Sequence, residues 1–543
     1  MDQMLEGALV ILGIFLFIGI TSLISHRNMK RRRKIFIHEK FGKAPTPGEW
    51  NENVRAYYDV VAGGSVDDIT WNDLSMNEVF QRIDWCDTSV GQEVLYWKMR
   101  RNQMSSDERQ LFERRVRTFA RNEKERESLE YLLCDIGKSM SSYYIPSYMD
   151  AVEEYMLKNP WIYRVLQVLL GVSFLCFLFL RDDRAGLAFL GVCVVNLAAY
   201  IMIKMKHEVE LSMLGTVISL LRNAKQIAKR KEIQVLFPNL KKALAGLNDV
   251  LRGDHILRIL KAPGESGDIY GVIADYVLGI TLWQITTYNK VMNRLRRNVE
   301  GYLEVYREIG ELDVAVNTAS FRKSLPWYCV PEYTEEKKLC MDELYHPLID
   351  YPVANSLELE KSCLITGSNA SGKSTFIKAV AVNAVLAQSL NTCAAKRFVL
   401  PSCEVITSMA VKDDLMAGES YFIREIRYLK RILDSLNEEQ MILCSIDEIL
   451  RGTNTGERIR ASRAILDYLA DKNCIALVAT HDKELTELLS GTYVNYHFSE
   501  EIGENDIHFS YELIEGPATS QNAVKLLEFA GFPEEIIAES QKI

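Results

Sequence analysis

A short glycine-containing stretch at residues 367–375 constrains the fold of this chain more than any other feature. It reads Gly-Ser-Asn-Ala-Ser-Gly-Lys-Ser-Thr and lies between an apolar run at 362–366 and a helical pattern that continues to about Gln388. A buried strand that leads through a glycine loop into a helix is the context that a phosphate-binding loop requires. Backbone N–H groups of such a loop, with the positive end of the helix, bind phosphate oxygens. The alternative is a glycine turn without function, but pattern and context together favour an α/β domain that binds a nucleoside triphosphate.

The residues of this stretch have distinct predicted roles. Lys373 is expected to contact phosphate oxygens, and the hydroxyl of Ser374 is expected to bind Mg²⁺. The predicted nucleotide-binding residues of the stretch are Gly367, Ser368, Asn369, Ala370, Ser371, Gly372, Lys373, Ser374 and Thr375. ATP and Mg²⁺ are therefore the expected cofactors.

Two further strand ends supply candidate catalytic groups. The apolar run at 441–446 ends in Asp447 and Glu448, and the run at 475–479 is followed by Thr480 and His481. Asp447 is predicted to hold Mg²⁺, mostly through water, and Glu448 to polarise the attacking water. His481 is predicted to reach the γ-phosphate. Alone, the two acids would be a solvated turn and the histidine a structural residue, but their positions after strands favour catalytic roles.

A serine beyond the loop indicates a second subunit. Gly418 and Ser420 begin a helical pattern that continues to Leu433. A helix N-terminus with a free hydroxyl is an anion site. Because this segment lies too far along the chain to share its own phosphate loop easily, Ser420 is predicted to contact a nucleotide held by the other chain of a homodimer.

The N-terminal region carries a predicted membrane anchor. Residues 7–24 contain no charged side chain and are followed by Arg27 and the basic run 30–34. This length just spans a bilayer core, and the basic flank places the C-terminal side in the cytoplasm. A cleaved signal peptide, which is the alternative, would carry its positive charge before the apolar run.

Two more apolar runs, at 165–180 and 186–203, are joined by a short charged turn. Gln167 and Asn196 are their only side-chain amides, and each run is otherwise predominantly apolar on every face. Core helices, which are the alternative, are usually amphipathic. The pattern predicts a transmembrane hairpin over 163–203. The protein is therefore expected in the cell membrane, as a multi-pass or single-pass protein with its α/β domain in the cytoplasm.

Composition limits the remaining possibilities. A chain of 543 residues is long enough for two or three domains, and its net charge of −9 does not indicate a general nucleic-acid binder. Two local basic helix faces could contact DNA phosphates, or could face solvent or anionic lipid. Their members are Arg222, Lys225, Lys229, Arg230 and Lys231 on one face, and Lys290, Arg294, Arg296 and Arg297 on the other. The 11 cysteines form no CxxC pair, which argues against a zinc site.

Four motifs resemble those of the MutS mismatch-repair family, a branch of the ABC-type ATPases. They lie at 365–375, 418–425, 446–453 and 479–481. The resemblance implies that Asn369 lies near the γ-phosphate, that Ser420 reaches it across a dimer, and that Tyr511 stacks on adenine. An ABC transporter subunit is disfavoured, because no Leu-Ser-Gly-Gly-Gln signature occurs.

A weaker resemblance continues on both sides of these motifs. Residues 71–80 and 88–91 are similar to the start of the family's helical core, and 309–313 to its end. The tail at 530–537 is similar to the family's closing dimerisation helices. Only about forty residues separate the anchor from the helical core, which is too few for the family's mismatch-reading domain. Leu450 also departs from the pattern, because it replaces a glycine after the two acids.

The predicted architecture is an α/β ABC-type P-loop ATPase domain preceded by an all-α lever and core domain, with an N-terminal transmembrane helix and a transmembrane hairpin. The predicted parts are an anchor at 1–34, a linker at 35–65, a helical domain at 66–335 and an ATPase domain at 336–543. The predicted function is ATP binding and hydrolysis in a dimeric composite site that drives a conformational change. Two uses of that change stay open: binding of double-stranded DNA in mismatch repair or recombination, or work on a membrane or protein partner without DNA.

Overall fold

The chain divides into a helical N-terminal region and a C-terminal α/β domain. The computed structural model describes residues 27–540 except 62, 155, 181, 251–278, 369, 410–420, 503–506 and 519–530. The predicted anchor at 7–24 lies outside these residues. Within them, helices occupy the chain up to Ser324, and strands alternate with helices from Glu332 onward. This succession agrees with the sequence-based expectation of a helical part before an α/β part.

The described helical region begins with a helical segment at 27–40 and continues through α-helices joined by short connections. These helices are α1 Ala56–Val61, α2 Asp68–Asp73, α3 Met76–Ile83, α4 Ser89–Arg101, α5 Ser106–Arg121, α6 Glu123–Ile136, α7 Ile145–Asp150, α8 Pro160–Leu180, α9 Asp183–Lys206, α10 Glu208–Ile227, α11 Lys231–Leu236, α12 Pro238–Ala245, α13 Trp283–Leu295 and α14 Val299–Ser324. Short 3-10 helices lie at Glu52–Arg55, Met140–Tyr144 and Arg296–Asn298.

The 26-residue helix α14 is the centre of this region and packs against α4 and α5. The buried carboxylate of Asp313 on α14 accepts hydrogen bonds from the backbone N–H of Thr88 (2.9 Å) and from its hydroxyl (2.7 Å). A Cβ on Gly91 would lie 2.2 Å from Asp313 Oδ2, so a side chain there would force the two helices apart. The two segments whose sequences resemble the start and the end of a MutS-type helical core therefore contact each other directly.

The segment before α1 is attached to the same core. Lys40 is buried, and its ammonium lies 2.5 Å from Asp87 Oδ1 and 3.3 Å from Glu130 Oε1. Two residues further on, the backbone N–H of Gly42 donates to the hydroxyl of Ser320 on α14 (2.9 Å). A buried ion pair is costly to break, because removal of one partner leaves the other charge unpaired in an apolar interior. The predicted anchor thus leads directly into a segment that is fixed to the core.

Helices α8 and α9 form a hairpin whose surface is apolar and exposed. They have 21 and 24 residues, and both are long and apolar enough, by length and composition, to cross a membrane. Only 0% and 11% of their most apolar windows are buried inside the protein. The two helices contact each other through stacked rings of Phe177 and Phe189, whose centroids are 6.0 Å apart. Helices α8 and α9 therefore cover the stretch for which a transmembrane hairpin is predicted, and their described side chains are exposed or half-buried except those of Asn196 and Tyr200.

The α/β domain contains two sheets and the remaining described helices. The strands are β1 Glu332–Tyr333, β2 Leu339–Leu344, β3 Asn355–Leu359, β4 Cys363–Thr366, β5 Arg397–Leu400, β6 Cys403–Ser408, β7 Met441–Asp447, β8 Cys474–Ala479, β9 Val494–Ile502 and β10 Ile507–Glu515. The helices are α15 Lys373–Leu390, α16 Tyr421–Ser435, α17 Thr455–Ala470, α18 Lys483–Leu488 and α19 Glu534–Ser540. The larger sheet has six strands in the order β10-β9-β4-β8-β7-β6, and the smaller has four in the order β1-β5-β2-β3.

The larger sheet is parallel from β9 to β6 and is covered on both faces. Every residue of β4, β7 and β8 is buried, which is typical of parallel strands between helical layers. Alternate side chains of these strands enter two separate cores, one with α15 and the other with α16 and α17. Because the strands are parallel, Thr366, Asp447 and Ala479 end at the same edge of the sheet. Loops that follow these strand ends therefore meet there.

Candidate active site

The glycine loop, residues 367–372, connects β4 to α15 in the conformation that its glycines allow. Gly367 has φ 147° and Gly372 has φ 108°, both in the region that side chains disfavour. A Cβ on Gly367 would also lie 2.8 Å from the carbonyl oxygen of Phe498. The buried Ser371 hydroxyl has no hydrogen-bond partner within the part of the chain that the structure describes. Both glycines therefore have the backbone that a tight turn requires, and Ser371 between them carries a hydroxyl without a partner among the described residues.

Lys373, the first residue of α15, folds back over this loop. Its ammonium donates to the carbonyl oxygens of Gly367 (2.8 Å) and Ser368 (2.7 Å) and is almost fully buried. Burial lowers the pKa of Lys373, and the nearby carboxylates of Asp447, Glu448 and Glu500 raise it only in part. The net direction is downward, so this ammonium is less well hydrated than a surface lysine. A cation that has lost part of its hydration is well suited to contact an anion.

The two acids at the end of β7 lie beside the end of β8. Asp447 is paired in register with Ala479, and the backbone N–H of Glu448 donates to the carbonyl oxygen of Ala479 (2.9 Å). Glu448 and Leu450 both have positive φ, 60° and 58° respectively. Leu450 is the position where the resembling family carries glycine, which would adopt this backbone more readily. The turn after β7 therefore holds two residues with side chains in the left-handed region that favours glycine.

The carboxylate of Glu448 lies between two cationic or titratable side chains. Its Oε1 is 3.1 Å from His481 Nε2, and its Oε2 is 2.6 Å from Arg451 Nε. Burial raises the pKa of Glu448, but the hydrogen bond with His481 and the charge of Arg451 outweigh it, so the pKa lies below its usual range. Glu448 is therefore ionised at neutral pH. His481, predicted from its position after β8, contacts the predicted catalytic acid directly.

Arg451 is a site residue to which sequence reasoning assigned no role. Its backbone N–H donates to Oε1 of the buried Glu425 on α16 (3.0 Å), while its side chain pairs with Glu448. Arg451 therefore links the helix that follows Ser420 in the chain to the acid at the end of β7. The only local signal was its place directly after the acids, in a stretch that the resemblance already singled out.

These groups surround a cavity of about 730 Å³, which lies within the usual range for small-molecule sites. Ten of the predicted residues line it: Ser368, Ala370, Ser371, Gly372, Lys373, Ser374, Thr375, Glu448, His481 and Tyr511. Gly367 and Asp447 lie directly behind them, at the ends of β4 and β7. Asn369 and Ser420 lie outside the described residues, so their predicted roles stay predictions.

The far wall of the cavity combines Tyr511, which the resemblance predicted, with side chains that sequence reasoning did not assign to the site. Tyr511 lies at a break in the β9–β10 pairing with φ 55°, and its ring stacks on Phe509 with centroids 6.0 Å apart. His346, Tyr351 and Phe498 line the same space, and Tyr351 is 95% exposed. No local pattern around the His-Pro pair at 346–347 predicts that His346 lines this cavity.

His346 should make the stability of this domain sensitive to acid. Burial, with a smaller effect of Lys378, lowers its pKa from 6.5 to about 4. Between pH 6.5 and pH 4, His346 is protonated in the unfolded chain but stays neutral in the folded chain. The free energy of unfolding therefore falls as the pH falls through this range. We expect wild type to lose up to about 3 kcal/mol more than His346→Asn between pH 7 and pH 4. Unfolding midpoints of both proteins across this range test it, and parallel pH profiles would contradict it.

Comparison with known proteins places the C-terminal part in a family. Residues 363–543, which begin with β4, match the family described as MutS domain V. The chain is 29% identical over 267 residues to the DNA mismatch repair protein MutS of Pseudothermotoga lettingae. It is 30% identical over 257 residues to that of Thermus thermophilus, and 36% over 185 residues to DNA mismatch repair protein MutS 2 of Haloarcula marismortui.

These matches cover part of each protein. The match with the Pseudothermotoga protein spans 47% of this chain and 33% of that relative. The corresponding shares are 46% and 31% for the Thermus protein, and 33% and 19% for the Haloarcula protein. The chain thus matches at most about a third of the length of these curated relatives. The family match over 363–543 includes the glycine loop, the acids after β7 and the histidine after β8. The resemblance that the four motifs indicated is confirmed for this part of the chain, since residues 363–543 match MutS domain V and these relatives are MutS proteins.

Proposed function

We propose that this protein binds and hydrolyses ATP at the cavity beside the glycine loop and uses the reaction to drive a conformational change. The convergence of Lys373, Glu448 and His481 on one cavity, from three separate strand ends, is the observation that carries the proposal. A parallel sheet gathers ligands at the carboxyl ends of its strands. A loop rich in backbone donors, a buried cation and an ionised carboxylate are the groups that phosphoryl transfer to water requires.

The donor set at this edge also fits Mg²⁺ and the phosphates. The hydroxyl of Ser374 and the carboxylate of Asp447 would hold the ion, because Mg²⁺ prefers oxygen ligands. When bound, Mg²⁺ would neutralise charge on the phosphate oxygens. The ammonium of Lys373 and the buried hydroxyl of Ser371, which lacks a partner among the described residues, would bind the phosphates from the other side. Tyr511 would stack on the adenine at the far wall.

Glu448 is the proposed general base. Its ionised carboxylate can accept a proton from the attacking water, and its contacts with His481 and Arg451 orient it. His481 would in turn contact the γ-phosphate, so its contact with Glu448 would report whether that phosphate is present. Arg451, held at its backbone by Glu425, would pass that information to α16.

The proposed site is completed across a homodimer by Ser420. Mixing two inactive variants tests this directly, because a heterodimer of Lys373→Ala and Ser420→Ala chains contains one site with both residues intact. Equal mixing should restore about a quarter of wild-type turnover, since half the dimers are mixed and each has one intact site. A site formed within one chain would give no restoration. Each variant measured alone is the matched control.

The protein is proposed to reside in the cell membrane, with the α/β domain in the cytoplasm. The exposed surfaces of α8 and α9 support this, because soluble proteins seldom expose such large apolar areas. Charge supports the orientation, since Arg164 and Lys204 lie near the ends of the hairpin that join the rest of the protein. The predicted segment at 7–24 would provide the additional anchor.

The ATP-driven change could act on DNA or at the membrane, and the exposed surfaces of the helical region favour the membrane. Lys229, Lys231, Lys290 and Arg297 are exposed and have no ion-pair partner in the described part of the chain, so they could contact DNA phosphates. Arg230 and Arg296, by contrast, are paired with Glu125 and Glu153. Scattered cations support only sequence-independent binding. The continuous apolar surface of the hairpin favours work at the membrane.

Turnover of the full chain in lipid nanodiscs separates these uses. Stimulation by double-stranded DNA that declines steeply with salt would support the DNA candidate. Indifference to DNA, together with turnover that changes with lipid composition, would support the membrane candidate. The Lys373→Ala protein in the same nanodiscs is the control, because its residual phosphate release measures contaminating ATPases.

A further inference from the structure

The two amides of the apolar hairpin lie at the same level. Gln167 is 13 residues before the end of α8 at Leu180, and Asn196 is 13 residues after the start of α9 at Asp183. At 1.5 Å per residue, both are about 20 Å from the turn of the hairpin. In a bilayer core about 30 Å thick, that level lies in the half nearer to the rest of the protein. Polar groups at such a depth are retained where they have partners.

Both amides bind the backbone directly before α13. Gln167 Nε2 donates to the carbonyl oxygen of Thr281 (2.9 Å) and to the hydroxyl of Thr286 (3.2 Å). Asn196 is fully buried, and its Nδ2 donates to the carbonyl oxygen of Ile280 (2.9 Å). Leu282 has φ 52° and interrupts the helical backbone there, which frees these carbonyls from helical hydrogen bonds. The amides therefore satisfy the groups that a helix break exposes.

Close packing completes this joint. The hydroxyl of Tyr200 on α9 donates to Gln284 Oε1 on α13 (2.8 Å). A Cβ on Gly279 would lie 2.4 Å from Tyr200 Cδ1, so the backbone rests directly on the ring. Helices in membranes associate through such small residues and interhelical hydrogen bonds. The hairpin is thus bound to α13 at a specific site and is not merely adjacent to it.

A continuous series of helices joins this contact to the candidate active site. Helix α13 leads through Arg296–Asn298 into α14, which runs for 26 residues to Ser324. Near that end, the buried Arg322 donates to the carbonyl oxygen of Asn391 (2.7 Å) and to the hydroxyl of Thr392 (2.9 Å). These residues directly follow α15, the helix that begins at Lys373. A displacement of α15 can therefore reach the hairpin through rigid elements.

We propose that Gln167 and Asn196 form a clamp that couples the hairpin to α13, and that ATP binding shifts the hairpin within the bilayer. The occupant of the remaining hairpin surface is lipid acyl chains. Exposed apolar residues cover both helices as far as the turn, and the turn itself carries Asp182 and Asp183. The inference rests on the proposed ATP binding and adds the element that the nucleotide moves and the residues that transmit the movement.

A native cysteine serves as the reporter. Cys176 is exposed on α8, four residues before its end. The test uses the full chain reconstituted in vesicles of phosphatidylcholine and phosphatidylglycerol. One sample is treated with a lipid-soluble maleimide and a second with a sulfonated maleimide that does not cross the membrane. Peptide mass spectrometry follows modification of Cys176, and Cys176→Ser gives the background. Rates are measured with and without a non-hydrolysable ATP analogue, and retention of radiolabelled ATP is measured on the same vesicles.

We expect the lipid-soluble reagent to modify Cys176 and the sulfonated reagent to leave it unmodified. The nucleotide should change the rate by about twofold or more, as expected when a ligand shifts the balance of two conformations. Gln167→Leu combined with Asn196→Leu should abolish the change and keep Cys176 accessible from lipid, because leucine fits an apolar environment. Ser173→Ala is the matched control, since among the described residues that hydroxyl bonds within its own helix, to the carbonyl oxygen of Leu170.

Three outcomes would overturn the inference. Rapid modification by the sulfonated reagent would place Cys176 in water. If bound nucleotide leaves the rate of Cys176 modification in the wild-type protein unchanged, the hairpin does not move with the site. A nucleotide effect that persists in the double leucine variant would show that the clamp does not transmit it. Failure to retain ATP would instead overturn the proposed function, and the nucleotide-driven shift with it.

Discussion

Replacing Glu448 with glutamine is expected to slow ATP turnover by about 10²- to 10⁴-fold while ATP binding persists. The carboxylate lies at the cavity wall, and because its pKa lies below its usual range it is ionised at neutral pH, as a proton acceptor must be. Glutamine keeps the shape of the side chain and can still bond His481, but it cannot accept that proton. Phosphate release and retention of radiolabelled ATP measure the two effects separately.

A matched control for this change is Glu487→Gln. Glu487 is exposed on α18, and its neutralisation alters the net charge equally without touching the cavity. We expect this control to turn over ATP at the wild-type rate. Wild-type turnover by Glu448→Gln itself would remove Glu448 from its proposed role, and loss of ATP retention would indicate a disturbed loop instead.

Lys373→Met is expected to weaken ATP binding by about 10- to 100-fold, because a charged hydrogen bond contributes about 1.5–3 kcal/mol. Methionine keeps most of the buried stem of the side chain but removes the ammonium that reaches the loop. Equilibrium binding of a fluorescent ATP analogue measures the effect. Turnover should fall with it, since the same ammonium would stabilise charge on the transferred phosphate.

Two comparisons make this prediction specific. Lys361→Met removes an exposed lysine just before β4 and should leave ATP affinity unchanged. The unfolding midpoint of Lys373→Met should be recorded as well, because the ammonium also bonds the carbonyl oxygens of Gly367 and Ser368. Wild-type affinity in a folded Lys373→Met protein would contradict the assigned role of this residue.

Local patterns were sufficient wherever the signal and the structure share one short segment. The turn at Gly367, the helix that begins at Lys373, and the strand that ends at Asp447 were each predictable, because a strand, a tight turn and a helix start are local properties. Even the meeting of Glu448 and His481 could be anticipated. Both follow apolar strand runs, and parallel strands present their ends at one edge.

Long-range partners were not predictable in this way. Arg451 was visible in the sequence, but its bond to Glu425 joins residues 26 positions apart, with the rest of α16 and all of β7 between them. His346 reaches the cavity because the smaller sheet packs beside the larger one. Asp313 meets Thr88 across a separation of 225 residues. In each case many partners would satisfy the same side chain, and only the packing of whole elements selects one.

The apolar hairpin of α8 and α9 shows the difference between the two kinds of information most clearly. Its two helices were predictable from the length and composition of the apolar runs alone. The sequence also indicates that the amides of Gln167 and Asn196 need hydrogen-bond partners, since an amide without a partner is costly in an apolar medium. Those partners are 114 and 84 residues away. The linear order of residues therefore predicted the helices and the glycine loop, whereas the packing of distant helices decided which residues the hairpin contacts, because those partners lie far away along the chain.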